Sequence, residues 1–197
     1  AYQGSNPISD VWSLEALRLV SQFLFRAVAD PSDDLARSKM LLAASCAGVG
    51  FGNAGVHLPH GMSYPVSGMV KNFYPDGYDV DHAMVPHGIS VILNAPSAFR
   101  FTASACPERH LEAAKILGAD VSDKLLADAG RVLSDQIIRF MQELKLPNGL
   151  KAVGYDYEDI PQLVQGTLPQ HRVTKLSPRP ASRDDLAGIF EDALVAW

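Results

Sequence analysis

GFGNAGVHLPHGMSYPVSG, residues 50–68, is the stretch on which the reading of this chain turns. It holds five glycines, two prolines, and two histidines three apart, His57 and His60. It follows LARSKMLLAASCAGV, whose apolar spacing predicts a helix over 33–49. A second Pro-His-Gly stands at 86–88, twenty-seven residues after the first, and each tripeptide opens an apolar segment. Proline suits the start of a helix, so His60 and His87 are each expected at a helix start, with small neighbours that permit close approach. If a helix carries both His57 and His60, their spacing brings them near one face. Histidines in matching contexts suggest a metal site, because neutral imidazoles are ligands for divalent ions. No Asp or Glu lies three or four residues from His60 or His87. The ligand set on this chain therefore reads as incomplete.

Outward from this stretch the periodicity is helical. Val11, Leu14, Leu17, Val20, Leu24 and Val28 recur at steps of three and four and predict a helix over 10–28, capped by Ser9 or Asp10 and ended at Pro31. Small residues fill the second half of the 33–49 helix, which is expected to pack closely against others. A helix over 86–104 contains Pro96, which should bend or break it. Further helices are expected over 107–118, over 121–146 starting at Ser122, over 157–168, and over 182–197 capped by Ser182. Residues 71–84 and 174–180 read as irregular. No segment alternates with period two. The fold class expected is all-α, a multi-helix domain spanning 1–197.

Composition is that of a globular chain: 47% hydrophobic, 20% charged, net charge −5. With no basic block, nucleic acid is not expected as a partner. The apolar runs are too short and interrupted for a membrane span, and no signal-peptide pattern opens the chain. Cys46 and Cys106 read as buried free thiols, in keeping with a reducing, intracellular setting. His82, His110 and His171 sit among polar or charged neighbours and read as solvent-facing. No Gly-x-Gly-x-x-Gly or P-loop is present. GVGFGNAG follows a helix rather than a strand and suits close packing or a substrate-facing wall. The absence of an initiator Met suggests a fragment of a longer chain.

The runs MLLAASCAGVGFGNAGVHLPHGMSYPVSG, VPHGISVIL and SPRPASRDDLAGIFEDAL resemble the iron-containing (group III) alcohol dehydrogenase family, and the resemblance covers essentially the whole chain. It implies the all-helical, metal-binding C-terminal domain of a dehydroquinate synthase-like fold. It also implies that the N-terminal α/β domain, which carries NAD(P) on a Gly-rich loop, is missing here. Of the family's four metal ligands, the last two map onto His60 and His87. The first two, an Asp and a His, would lie upstream of Ala1. Phe51 matches an aromatic lining the substrate and nicotinamide cleft. Tyr64 stands where many members carry another histidine. His57 often corresponds to glycine and is assigned at most a supporting place behind the ligands.

The resemblance further implies an oxidoreductase using a divalent metal (Fe2+ or Zn2+) and NAD(P). Its closest likeness is to members that move a hydride from a hydroxyacid, such as 4-hydroxybutyrate, to an oxoacid, such as 2-oxoglutarate. Lys71, Arg100, Arg172 and Lys175 are candidate partners for the acid groups. A homo-oligomer is expected, in the cytoplasm or alternatively the mitochondrial matrix. The isolated chain is expected to be inactive, with apolar surface uncovered around Phe51, Val56 and Met62. The competing reading is a non-catalytic helical fragment or interaction module. A metal-storage bundle fits poorly, since paired Glu-x-x-His motifs are lacking.

Overall fold

The computed structural model describes residues 4–197, and among these every regular element is helical. Nine α-helices follow in order: α1 (Pro7–Ala29), α2 (Asp34–Ala54), α3 (Leu58–Gly68), α4 (His87–Thr102), α5 (Pro107–Ile116), α6 (Ala129–Glu143), α7 (Ile160–Thr167), α8 (His171–Thr174) and α9 (Arg183–Asp192). Short 3-10 turns at 103–105, 126–128, 150–153 and 157–159 join some of them.

Local chemistry sets the ends. Asn6 caps α1 by accepting hydrogen bonds from the backbone N–H groups of Ile8 (3.1 Å) and Ser9 (3.0 Å), while Ser9 Oγ accepts from Asn6 N. This reciprocal box starts the helix one turn before the expected Ser9 or Asp10 cap. The expected 121–146 helix begins only at Ala129. Asp120 captures the N–H and hydroxyl of Ser122 at 3.0 and 2.7 Å, which offers the backbone a turn instead of a helix. Ser182 does cap α9, but that helix ends at Asp192 rather than Trp197. There the Ala193 and Leu194 carbonyls accept the N–H groups of Leu150 and Lys151.

Pro96 does not break α4, which runs through it. A mid-helix proline costs about 3 kcal/mol, and here residues 94–98 are all buried, so tertiary packing outweighs that cost. The core gathers Leu58, Met62 and Val66 of α3, Leu93 and Ala98 of α4, Met141 of α6, and Phe190 of α9. Met62 is fully buried, which corrects its expected place on an uncovered surface. Cys46 is buried as expected, whereas Cys106 is only half-buried. The α1–α2 hairpin leaves Val11, Leu41 and Phe51 more than half exposed. No single helix among the described residues is long and apolar enough to cross a membrane. α2 and α3 would reach that length and apolarity only together, and they meet at a bend of 107°.

Candidate metal centre

The bend between α2 and α3 builds the site. Gly55 closes α2 with φ +80°, a conformation that side-chain-bearing residues rarely adopt, and the side chain of Leu176 lies where its Cβ would be. The next residues turn into α3. His57 is the N-cap, and its carbonyl accepts the N–H groups of His60 (3.0 Å) and Gly61 (3.1 Å). His60 is thus the third residue of α3. On the other side Pro86 is the N-cap of α4 and His87 its first residue, one position later than a proline-led helix predicts.

α3 and α4 pack against each other. Their first turns bring the rings of His60 and His87 to a centroid separation of 5.3 Å at an interplanar angle of 60°. Ser63 Oγ donates to the His60 carbonyl and Ser90 Oγ to the His87 carbonyl, each at 2.8 Å. These bonds pin the two turns alike. Burial, and then the neighbouring His87, hold the His60 imidazole below its ordinary pKa of 6.5. The ring is therefore neutral at pH 7, the state a metal requires.

Both rings open into a cleft of about 680 Å³. Phe51 and Tyr64 line it, as do His171, Arg172 and Lys175 from the short α8. Arg172 and Lys175 were candidates from the sequence, but the helix that carries them to the cleft was not legible there, because four residues have no periodicity to detect. His171 is exposed as expected, but it faces this cleft. Two of the four candidate cations lie elsewhere. Lys71 Nζ is 2.6 Å from Asp159 Oδ2, and Arg100 is held by Asp192 at 2.7 Å and by Ser134 Oγ at 3.0 Å.

His57 does not join His60 in the cleft. As a cap it lies outside the helix, and its ring meets Phe99 edge-on at 5.8 Å. Phe99 in turn meets His110 edge-on at 5.7 Å. The Nδ1 of His57 is buried without a partner. Burial, then the nearby His110 and His60, push its pKa down to about 4. His110 is likewise buried, which corrects its solvent-facing reading. Its Nε2 lies 3.0 Å from Thr102 Oγ1 and its Nδ1 2.9 Å from the Cys106 carbonyl. The i, i+4 partner Ala114 faces inward with it, and that spacing was the signal available in the sequence.

Two adjacent imidazoles, one kept neutral by burial, fit two positions in the shell of a divalent ion. Among the described residues no group of three or more His, Cys, Asp or Glu could hold one. The chain's contribution to such a centre is therefore the pair.

An all-helical array that presents two histidines from adjacent helix starts to one open cleft defines a class: a helical domain with a candidate two-histidine metal site. Residues 1–194 match the Fe-containing alcohol dehydrogenase family, C-terminal, and the chain belongs to that family. It is 60% identical over 197 residues to the mitochondrial hydroxyacid-oxoacid transhydrogenase of Xenopus tropicalis and 58% identical to that of Homo sapiens. All of this chain is covered in both matches, but only 42% of each relative. The chain thus spans about two-fifths of the length of these relatives. Among solved structures it is similar to 1,3-propanediol oxidoreductase (TM-score 0.84, 26% identity, 96% of this chain and 46% of that one). It is also similar to an alcohol dehydrogenase from Oenococcus oeni (TM-score 0.85, 27% identity, 95% and 45%).

Proposed function

We propose that the full-length protein containing this chain is a metal-dependent hydroxyacid–oxoacid transhydrogenase. A hydroxyacid such as 4-hydroxybutyrate loses a hydride and a proton, and an oxoacid such as 2-oxoglutarate gains both, so no external oxidant is consumed. The observation that carries this reading is the meeting of His60 and His87, 5.3 Å apart, in one cleft. The likeness to transhydrogenases over the whole chain supports the choice of substrates.

His60 and His87 would hold a divalent ion, Fe2+ or Zn2+, both of which suit imidazole, with further ligands from outside this chain. When bound, that ion supplies Lewis acidity toward the substrate oxygen, and NAD(P) supplies reversible hydride storage. The residues of this chain bind and orient. Burial keeps His60 unprotonated and ready to donate its lone pair. Ser63 and Ser90 fix the backbone turns beneath both rings. Phe51 and Tyr64 wall the cleft. The relatives' names support a mitochondrial setting rather than a cytoplasmic one. The 197-residue chain alone, with two ligands, is expected to be inactive.

The test is isotope transfer. Carbinol-deuterated 4-hydroxybutyrate and 2-oxoglutarate are incubated with full-length protein and no added nucleotide. Deuterium should appear at C2 of 2-hydroxyglutarate, and chelation of the metal should abolish it. Absence of transfer by metal-loaded protein with its nucleotide bound would overturn the proposal.

A further inference from the structure

We infer that Arg172 and Lys175 of α8 recognise the substrate carboxylate, and that they are held in place by the helix that carries His60. The inference rests on the transhydrogenase reading and adds the residues that select acids over neutral alcohols.

The four candidate cations divide by position. Arg100 lies in a different cleft, of about 440 Å³, where it is paired with Asp192 and where Asp184 and Asp185 also line the wall. That cleft carries more negative than positive charge and repels a carboxylate. Lys71 is matched by Asp159. Arg172 and Lys175 are different: among the described residues neither takes part in an ion pair. Both line the cleft of His60 and His87, and no Asp or Glu among the described residues lines it with them. Two unmatched cations in a cleft free of carboxylates form an anion site by charge alone. Arg172 also offers a planar fork suited to two-point binding of a carboxylate, whereas Lys175 is a point charge.

The site is also built to stay in register with the histidines. Val173, between the two cations, is 4% exposed. A Cβ on Gly61 would stand 2.8 Å from Thr174 Cγ2 and 3.3 Å from Val173 Cγ2. The absence of a side chain beside His60 is what lets α8 lie against the first turn of α3. The backbone that carries Arg172 and Lys175, three residues apart, is therefore held against the turn that carries His60. An acid bound by its carboxylate presents its carbinol carbon toward the histidines. A neutral alcohol gains nothing from α8.

The experiment compares wild-type full-length protein with Arg172→Gln and Lys175→Gln on 4-hydroxybutyrate and on 1,4-butanediol, its neutral counterpart. A hydrogen bond to a charged group is worth enough for a change of about tenfold to a hundredfold. Arg172→Gln should raise KM for 4-hydroxybutyrate by that factor with kcat nearly unchanged, and Lys175→Gln by less. KM for the diol should not move. Arg172→Lys should recover part of the loss, and the wild-type KM should rise with ionic strength. Calorimetric titration with glutarate, which needs no turnover, should give affinity in the wild type and at least a tenfold loss in Arg172→Gln. Equal losses for acid and diol, or unchanged acid KM and glutarate affinity, would overturn the inference. So would an unchanged acid KM with weakened NAD(H) binding, since the cations would then serve the nucleotide phosphates. If the wild type binds glutarate but shows no transhydrogenation, the carboxylate site stands and the functional proposal falls.

Discussion

The same tripeptide, Pro-His-Gly, is used in two physically different ways. In the first turn Leu58, Pro59, Gly61, Met62 and Ser63 are all buried, and His60 is half-buried. In the second, Val85 and Ser90 are buried while His87 and Gly88 are exposed. Gly61 is needed because α8 presses on it, whereas a Cβ on Gly88 would meet nothing within 4 Å. Three residues before the first imidazole stands His57, with a buried, unpartnered Nδ1. Three residues before the second stands Met84. Equal motifs thus place one imidazole each at the cleft, but the first turn is packed into the fold and the second rests at the cleft's rim.

The largest effect should treat the turns as equals. His60→Ala and His87→Ala in the full-length protein should each weaken metal retention by at least about a hundredfold, since loss even of a ligand's outer partner costs 10–100-fold. Metal content after dialysis measures it. Retention by one of the two variants would break the equivalence of the donors.

The next prediction separates the turns by pH. The pKa of His57 is 6.5 when exposed and about 4 in the fold. Between these values the unfolded chain takes up a proton that the folded chain resists. Stability is therefore full above pH 6.5 and falls as pH drops toward 4, by roughly 3 kcal/mol from this group. His110, lowered mainly by its burial, acts in the same direction. His57→Met, which copies the second turn, should flatten the urea-midpoint profile between pH 6.5 and 4. A profile identical to wild type would show that His57 does not carry the effect.

A smaller contrast concerns the glycines. Gly61→Ala must displace Thr174 or Val173 and should destabilise by about 1–3 kcal/mol, the usual cost of overpacking. Gly88→Ala meets open space in a helix and should stabilise by about 0.5–1 kcal/mol. Urea unfolding of both variants checks the opposite signs.

The smallest effect returns to symmetry. Ser63→Ala and Ser90→Ala each remove a 2.8 Å bond to the carbonyl of their histidine. Each should cost about 0.5–1.5 kcal/mol. A large difference between them would mean that burial of Ser63 and Ser90, both fully enclosed, is not what sets the cost.

Much of the fold was legible in the sequence. Of the apolar stripe read on α1, Leu17, Val20 and Leu24 pack against the core, whereas Val11 and Val28 at its ends are more than half exposed. Ser182 announced α9, and Pro107 stands at the start of α5. Such signals are local, because helix hydrogen bonds and caps join residues within a few positions of one another. The misreadings were local contests decided by distant groups. Pro96 should have broken α4 but is enclosed by the core, and Ser122 was drawn into a turn by Asp120.

For the site, the sequence by itself supplied two histidines in matching Pro-His-Gly frames, and the family resemblance added Phe51 and Tyr64 as candidates beside them. The tertiary structure alone decided which groups work together. It set His57 against Phe99 rather than in the cleft, buried His110, and sorted the cations, pairing Lys71 and Arg100 while Arg172 and Lys175 line the cleft of the histidines. The physical reason is distance along the chain. Arg172 lies more than a hundred residues from His60 in sequence, and only the close approach of α8 to the bare backbone of Gly61 makes them neighbours.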